Sequence, residues 1–356
     1  MSTYVKDVIE PHKRMIDAIR EQMHITQPEF FAGLFSINLP YDVKQNEPIR
    51  FAISQEGVGT KILISQLARK FKNIGIDVVA MNVNDIICLG ATPVAFSDYI
   101  ALPKNFPDQY FKELFEGMIE GADLAGVRIP SGETPIIPDM LNGVSPELAY
   151  DLAGGSIGVI LNKPIYGREI KENDVIVGLK SNGLHCNGFT LARETLLKYF
   201  AKPDRTCANY EIDDIFELTG ETVWKELLRP TKIYVREINF AVQNLSVHGL
   251  AHITGQAFQK LNRLTNFANC GFIIENLPEP PAIMTKIKNV RKISVKEMYS
   301  TFNMGIGFCV VLPKAEADDL ISICKERDSE AIQIGKVTKK FQKGIKINLK
   351  DEEINL

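Results

Sequence analysis

Apolar and polar positions follow two periods along the chain, and each period predicts a different kind of element. Short apolar or alternating segments predict strands, whereas apolar residues that return every three or four positions predict helices with one buried face. The strand candidates are PIRFAIS (48–54), TPVAFSDYIAL (92–102), DLAGGSIGVIL (151–161), DVIVGLK (174–180), CGFIIENL (270–277), GIGFCVVL (305–312) and EAIQIGKV (330–337). The helix candidates are 7–22, 108–125, 188–199, 232–244 and 315–326. Strands and helices alternate, which predicts a mixed α/β (α+β) fold.

The chain is long enough for two domains, and one segment is suited to join them. A length of 356 residues corresponds to about two domains of ordinary size. Proline, glycine and charged residues cluster in NKPIYGREIKEND (162–174), between two apolar strand candidates. The sequence therefore predicts an N-terminal domain over 1–165 and a C-terminal domain over 166–356.

Composition, charge and cysteine spacing argue against several classes of function. The formal net charge of -3 gives no field that would hold a polyanion, so nucleic acid is not expected as a partner. The polar N-terminus lacks the apolar core of a signal peptide, and no apolar run approaches the length of a membrane span. The six cysteines lack CxxC spacing, which argues against a zinc site or a disulfide framework. We expect a soluble, cytoplasmic protein without membrane contact.

The segment EGVGTK (56–61) has the composition of a phosphate-binding loop. Gly57 and Gly59 allow positive φ and close approach to a ligand, and Thr60 and Lys61 offer a hydroxyl and a cation to phosphate oxygens. The segment lacks the spacing of a Walker A loop and the third glycine of a dinucleotide fingerprint. A turn that leads into a helix would use the same residues, so the loop alone does not decide between the two interpretations.

Five carboxylates lie in or beside apolar or glycine-bearing segments of the first half. A partly desolvated carboxylate needs a cation or a set of hydrogen-bond donors, and hard oxygen ligands beside a phosphate loop suit Mg²⁺. Each carboxylate by itself could equally cap a turn or a loop. The set as a whole favours a metal site that would accompany ATP, and it consists of Glu56, Asp77, Asp85, Asp98 and Glu133.

Three loops of the second half carry hydrogen-bond donors that could address a polar substrate. LKSNGLHCNGFTLAR (179–193) places His185, Asn187 and Thr190 around the beginning of a helix, where anions bind readily. HGLAHITGQAF (248–258) contains His252 and Thr254 before a second helical stretch. A lone histidine is more often a satisfied core residue. In TFNMGIGF (301–308), the amide of Asn303 could bind a ligand or close a turn.

Taken together, these segments resemble phosphoribosylformylglycinamidine cyclo-ligase, also called aminoimidazole ribonucleotide synthetase. The matching segments follow the order of that family and are FAGLF (31–35), GVGTK, IGID, AMNVND with GATP, GET, DLAGG, LKSNGLHCNGFTLAR, RPTKIYV, AHITG and MYSTFNMGIG. The first half also resembles a wider group of ATP-binding enzymes, including thiamine monophosphate kinase and selenophosphate synthetase. The second-half segments resemble the cyclo-ligase specifically.

The resemblance implies two α/β domains, a homodimer in which the N-terminal sheets of two subunits meet, and ATP bound near that interface. It also implies that the amide oxygen of formylglycinamidine ribonucleotide attacks the γ-phosphate of ATP. An amidine-side nitrogen would then displace the phosphorylated oxygen and close the imidazole ring, with release of ADP, phosphate and 5-aminoimidazole ribonucleotide.

The resemblance also implies roles for individual residues. Lys61 would hold the β- and γ-phosphates, with Asn84 close by. Glu56, Asp85 and Glu133 would ligate Mg²⁺. The substrate would be bound by His185, Asn187, His252 and Thr254. The general base for ring closure stays open among His185, His252 and Asp151.

Some positions depart from the family pattern and keep other functions open. Glu56 stands where the family usually has aspartate, PSGET replaces a double-glycine form, HITGQAF lacks the usual glycine run, and the N-terminal segment differs. A small-molecule kinase of the wider group would share the first half but yield a stable phosphorylated product. A non-catalytic, nucleotide-sensing relative would lack Mg²⁺-dependent ATP binding.

Overall fold

The structure of the chain, a computed structural model, describes residues 50–356. The predicted helix over 7–22, the segment FAGLF and the first two residues of the first strand candidate lie outside the described residues.

The first half forms a four-stranded sheet with helices on one face. Its strands are β1 (Arg50–Gly57), β2 (Thr92–Ala101), β3 (Arg128–Glu133) and β4 (Asp151–Ile160). The helices are α1 (Ile62–Ala68), α2 (Lys72–Ile87) and α3 (Asp108–Ala125). The strand order is β1-β4-β2-β3. Strand β4 runs antiparallel to β1 and β2, whereas β2 and β3 are parallel.

The two faces of this sheet differ in what covers them. Helix α2 lies against β1, β2 and β4, so the side chains on that face, such as Leu152 and Ile100, are fully buried. On the opposite face Phe51, Ile53 and Tyr99 are 56%, 78% and 42% exposed. Single exposed apolar residues are ordinary, but three on one face make an apolar surface that no described part of the chain covers.

The second half forms a seven-stranded sheet with order β11-β10-β7-β9-β5-β8-β6. Its strands are β5 (Val175–Lys180), β6 (Gly249–His252), β7 (Gly271–Ile274), β8 (Ile306–Leu312), β9 (Ala331–Thr338), β10 (Ile345–Asn348) and β11 (Glu353–Asn355). The helices are α4 (Phe189–Leu196), α5 (Val223–Leu227), α6 (Val235–Asn244), α7 (Asn262–Ala268), α8 (Ala282–Arg291), α9 (Val295–Thr301) and α10 (Ala317–Lys325). Strand β8 lies inside the sheet, and all of its residues are buried.

The mixed α/β prediction is confirmed, and the strongly periodic segments became the expected elements. Helix α3 has the predicted bounds, and the candidates over 188–199, 232–244 and 315–326 contain α4, α6 and α10. The elements β3, β6, β10, β11, α5, α8 and α9 were not predicted. All of them except α8 span only three to seven residues, and so few residues show no clear period. The proposed boundary near residue 166 falls in the connection between β4 and β5.

All six cysteines are free thiols. Over residues 50–356, no helix combines the length and the apolar character needed to cross a membrane.

Helices α2 and α3 cross at two glycines, which allow their backbones to touch. A Cβ atom added at Gly117 would lie 1.8 Å from the carbonyl oxygen of Lys72, and one added at Gly75 would lie 2.1 Å from that of Leu114. Any larger residue at either position therefore forces the helices apart. Since α2 carries several residues of the site described below, this crossing fixes their position.

We predict that Gly117→Ala lowers the free energy of unfolding by at least about 2 kcal/mol, since overpacking outweighs the better helix propensity of alanine. Urea unfolding measures the change. Gly155→Ala is the control, because its added Cβ would meet its nearest atom, the carbonyl oxygen of Ser54, at an ordinary 3.7 Å. Equal stability of both variants would contradict the close crossing.

Candidate functional site

The connection after β1 forms a tight turn that leads into helix α1. Gly59 has a φ of 68°, which favours glycine, and a short 3-10 turn over Gly59–Lys61 precedes α1. Gly57 does not adopt positive φ, because it continues β1 and pairs with Ala153 of β4. The exposed hydroxyls of Thr60 and Thr190 lie 3.4 Å apart. The glycine loop of the first half therefore meets the donor-rich loop of the second half.

Lys61 lies in a fully buried ion pair. Its Nζ is 2.7 Å from Asp77 Oδ2, and both side chains are 0% exposed. The same ammonium donates to the carbonyl oxygen of Arg229 at 2.7 Å. Asp77 Oδ1 accepts two hydrogen bonds of 2.7 Å, from the backbone N–H and the hydroxyl of Thr231. The predicted contact of Lys61 with phosphate oxygens stays a prediction, and in this structure the ammonium is already paired.

Helix α2 binds the backbone of a second-half segment, residues 228–234, through two further side chains. Asn73 Nδ2 donates to the carbonyl oxygen of Leu228 at 2.8 Å. Asn84 donates through Nδ2 to the carbonyl oxygen of Lys232 at 2.8 Å and accepts through Oδ1 from the N–H of Tyr234 at 3.0 Å. Asn84, predicted to lie near ATP, therefore joins the two halves.

A cleft of about 440 Å³ opens between the two halves. Strand β1 and the end of α2 form one wall, and β6 with the turn before α7 and α7 itself form the other. Its lining residues are Ala52, Ile53, Ser54, Gln55, Glu56, Asp85, Ile86, Cys88, Leu89, Ile165, Tyr166, Leu250, Ala251, His252, Lys260, Arg263, Leu264 and Phe267. Three of the predicted site residues, Glu56, Asp85 and His252, share this cleft.

The carboxylates of the cleft influence each other, and His252 is held by one of them. His252 Nδ1 lies 2.8 Å from Asp85 Oδ1. Burial, and then the charge of Asp85, raise the pKa of the Glu56 carboxyl above its usual range. Burial would also raise the pKa of Asp85, but the hydrogen bond with His252 and the charges of Lys260 and Arg263 outweigh it and lower that pKa. Asp85 is therefore the more acidic of the two.

Two of the three predicted metal ligands fit a hard divalent cation. The repulsion between Glu56 and Asp85 is relieved when a cation lies between their oxygens, which are ligands that Mg²⁺ prefers. Glu133 lies on β3, at the opposite edge of the sheet from Glu56. Among residues 50–356, no three His, Cys, Asp or Glu side chains come together as a metal site. The predicted set of three is therefore not assembled around one point.

Asp98, another member of the predicted acidic set, is buried on β2 of the same sheet, where it pairs with Gly154 of β4 from the side opposite to Glu56. Its Oδ1 lies over Gly132, where an added Cβ would come within 2.3 Å. Burial, with a smaller effect from the charge of Glu133, raises the pKa of Asp98 to about 7. This carboxyl therefore keeps its proton up to nearly neutral pH, unlike Asp85.

His185 is enclosed rather than open to the cleft. Its backbone is left-handed, with a φ of 59°, and its side chain accepts through Nε2 from the N–H groups of Asn182 at 3.1 Å and Lys232 at 3.5 Å. Burial, followed by the nearby charges of His252, Lys61 and Lys232, lowers the pKa of His185 well below its usual value. The ring is therefore neutral and orders two backbone segments.

The predicted substrate residues of the second half fall into two groups. Asn187 lies beside the loop that contains Thr254, because a Cβ added at Gly255 would be 3.4 Å from Asn187 Oδ1. Its Nδ2 is buried and has no partner among the described residues. Asn187 and Thr254 thus belong to adjoining loops, and Thr190 lies in the first turn of α4; none of the three lines the cleft.

Asn303 and Asp151 differ from that group in their surroundings. Asn303 Oδ1 accepts from the hydroxyl of Ser181 and the N–H of Gly305, both at 2.9 Å, and its Nδ2 donates to the carbonyl oxygen of Gly183 at 2.7 Å. Its amide therefore closes a turn, which was the structural alternative. Asp151 is exposed at the beginning of β4.

Sequence reasoning missed the cations and the aromatic rim of the cleft. Lys260 and Arg263 lie two and five residues after HITGQAF (252–258), and their i, i+3 spacing was the available signal. The rings of Tyr166 and Phe267 lie 5.9 Å apart, and the Arg168 guanidinium lies 5.6 Å from the Tyr166 ring. Tyr166 belongs to the segment that the sequence marked only as a domain connection.

The residues that stand in place of the usual glycine run after HITG adopt a backbone conformation that favours glycine. Gln256 and Ala257 have φ values of 68° and 46°, in the left-handed region that favours glycine. The turn thus keeps a glycine-like backbone with larger side chains.

Comparisons with known proteins agree with this architecture. Residues 41–160 match the family model for AIR synthase related protein, N-terminal domain, and residues 171–348 match that for its C-terminal domain. Phosphoribosylformylglycinamidine cyclo-ligase of Pyrococcus horikoshii is 41% identical over 293 residues, which are 82% of this chain and 80% of that protein. The enzyme of the same name from Methanocaldococcus jannaschii is 40% identical over 288 residues, which are 80% of this chain and 77% of that protein.

A solved structure of hydrogenase maturation protein HypE in complex with ATP superimposes with a TM-score of 0.63 at 15% identity, covering 97% of this chain and 93% of that chain. At that identity the likeness concerns the fold alone. The fold and the two matched domains define the class: this is a two-domain protein related to AIR synthase. The chain belongs to the phosphoribosylformylglycinamidine cyclo-ligase family, which confirms the resemblance of its motifs.

We predict that Lys61→Met lowers the free energy of unfolding by about 3–5 kcal/mol, because it leaves the Asp77 carboxylate buried without its cation. The double variant Lys61→Met/Asp77→Asn should recover part of that loss. Urea unfolding and ATP binding are measured on both. A Lys61→Met protein of wild-type stability that no longer binds ATP would instead support the contact with phosphate.

Proposed function

We propose that this chain catalyses the ATP-dependent cyclisation of formylglycinamidine ribonucleotide to 5-aminoimidazole ribonucleotide, with release of ADP and phosphate. The relatives named cyclo-ligase align with both halves of the chain, which supports the proposal. The structural observation that carries it is the pairing of Asp85 and His252 beside Glu56 in the cleft between the halves.

For this reaction the protein mainly has to position the reactants and neutralise their charges. An amide oxygen is a poor leaving group, so the γ-phosphoryl group of ATP is first transferred to that oxygen with release of ADP, which turns the oxygen into part of a good leaving group. An amidine-side nitrogen then attacks the formyl carbon, the C–O bond breaks, and phosphate leaves while the ring closes. Holding the reactants together and neutralising their charges lower the barriers of both steps.

Nucleotide binding in this proposal involves the glycine loop and the two carboxylates of the cleft. Glu56 and Asp85 would hold Mg²⁺, which when bound neutralises phosphate charge. Thr60 is exposed beside the loop and can donate to a phosphate oxygen. The ATP complex of HypE, a protein of the same fold, is consistent with ATP as the nucleotide.

Among the three predicted general bases, His252 is the one that we favour. It lines the cleft, whereas His185 and Asp151 do not. If Nδ1–H donates to Asp85, Nε2 is left unprotonated, and its neighbour Asn84 Nδ2 lies at 3.5 Å. Nε2 can then take the proton that the attacking nitrogen loses on ring closure.

The open face of the first sheet supports the proposed homodimer. Phe51, Ile53 and Tyr99 are exposed there, and a shallow depression of about 450 Å³ runs across the same strands. A second copy of this sheet would remove these apolar side chains from water. The predicted cytoplasmic location belongs to this proposal as well.

The reaction is tested by incubating the protein with Mg²⁺, ATP and formylglycinamidine ribonucleotide while 5-aminoimidazole ribonucleotide and ADP are measured in parallel. We expect the two products in equal amounts. ADP formed with a stable phosphorylated product would indicate a kinase of the wider group. Formation of neither product, with ATP still bound, would contradict the proposal.

We predict that His252→Gln lowers kcat by about 100-fold or more, the usual contribution of a general base, without changing the KM for ATP. His248→Gln is a matched control, because His248 Nδ1 pairs with Asp174 Oδ2 at 2.7 Å in the same way but outside the cleft. Equal effects of the two substitutions on kcat would show that the histidine–aspartate pair acts only through folding.

A further inference from the structure

Two cations line the cleft without a protein partner. Lys260 is half-buried at the end of the 3-10 turn Ala257–Leu261, and Arg263 is exposed in the first turn of α7. Within residues 50–356, neither side chain forms a hydrogen bond or an ion pair. Both face the cleft that contains the Asp85–His252 pair. They are therefore free to bind an anion.

The charges of the cleft are arranged on opposite walls. The first half supplies the carboxylates Glu56 and Asp85, and the second half supplies Lys260 and Arg263. Neither cation forms an ion pair with these carboxylates, although all four side chains line the same cleft. A ligand could therefore contact a metal ion held by Glu56 and Asp85 at one wall and the side chains of Lys260 and Arg263 at the other.

The proposed substrate has an anionic end that matches these donors. Formylglycinamidine ribonucleotide carries a 5′-phosphate at one end and the reacting formamide at the other. A cleft of about 440 Å³ is within the usual range for small-molecule sites. With the formamide at Asp85 and His252, the phosphate needs donors on the facing wall. Arginine and lysine are the usual partners of phosphate.

We propose that Lys260 and Arg263 bind the 5′-phosphate of the ribonucleotide substrate. This assignment rests on the proposed function, and it adds residues that the donor-rich loops of Asn187 and Thr254 do not supply. The nearby Arg168 is a poorer candidate, because its guanidinium lies over the rings of Tyr166 and Phe267.

The kinetic test compares the double variant Lys260→Gln/Arg263→Gln with Lys288→Gln/Arg291→Gln. The control pair has the same residue types at the same spacing on α8, outside the cleft. We expect the KM for formylglycinamidine ribonucleotide to rise about 10- to 100-fold in the first variant, since charged hydrogen bonds are lost. The KM for ATP and both constants of the control should stay within about twofold of the wild type. A rise in the KM for ATP instead would overturn the assignment.

A binding test separates this inference from the proposed reaction. Isothermal titration calorimetry with ribose 5-phosphate and with ribose is carried out on the wild type and on both double variants. We expect the wild type and the control to prefer ribose 5-phosphate, and Lys260→Gln/Arg263→Gln to lose that preference. This result would support the phosphate site even if no aminoimidazole product formed. Equal binding of ribose 5-phosphate by all three proteins, or no preference in the wild type, would overturn it.

Discussion

The buried ion pair between Lys61 and Asp77 is the interaction on which the arrangement of the two halves depends. Neither charge has access to water, so each requires the other and the surrounding donors and acceptors. Those partners are the carbonyl oxygen of Arg229 and the N–H and hydroxyl of Thr231, which belong to the second half. The pair can therefore be satisfied only when residues 228–234 lie along helix α2.

This packing also places the groups of the candidate site. Asn84 continues the same row of contacts to Lys232 and Tyr234, and the next residue, Asp85, reaches into the cleft to hold His252. The backbone N–H of Lys232 in turn contacts His185. A change in how the halves pack would move the carboxylate, the imidazole and the cations of the facing wall together. Structural and chemical roles thus share one helix.

Side chains of the same type, equivalent in the sequence, have different protonation behaviour and roles because their surroundings differ. Asp85 and Asp98 are both aspartates beside apolar segments, but His252 and nearby cations lower the pKa of Asp85, whereas burial raises that of Asp98 to about 7. His252 lies at the cleft, whereas His185 is enclosed and neutral. Environment rather than residue type therefore separates a group suited to chemistry from one that orders the fold.

The sequence by itself determined the mixed α/β class, the long periodic elements such as α3, and the family, because periodicity and ordered motifs are local properties of the chain. It also identified Glu56, Asp85 and His252 as candidates. Only the tertiary structure decided that these three share a cleft, that Glu133 lies at the opposite sheet edge, and that Lys61 is paired with Asp77. The physical reason is that burial and partners arise from contacts between residues far apart in the chain, such as Asp77 and Thr231, and no local pattern records those contacts.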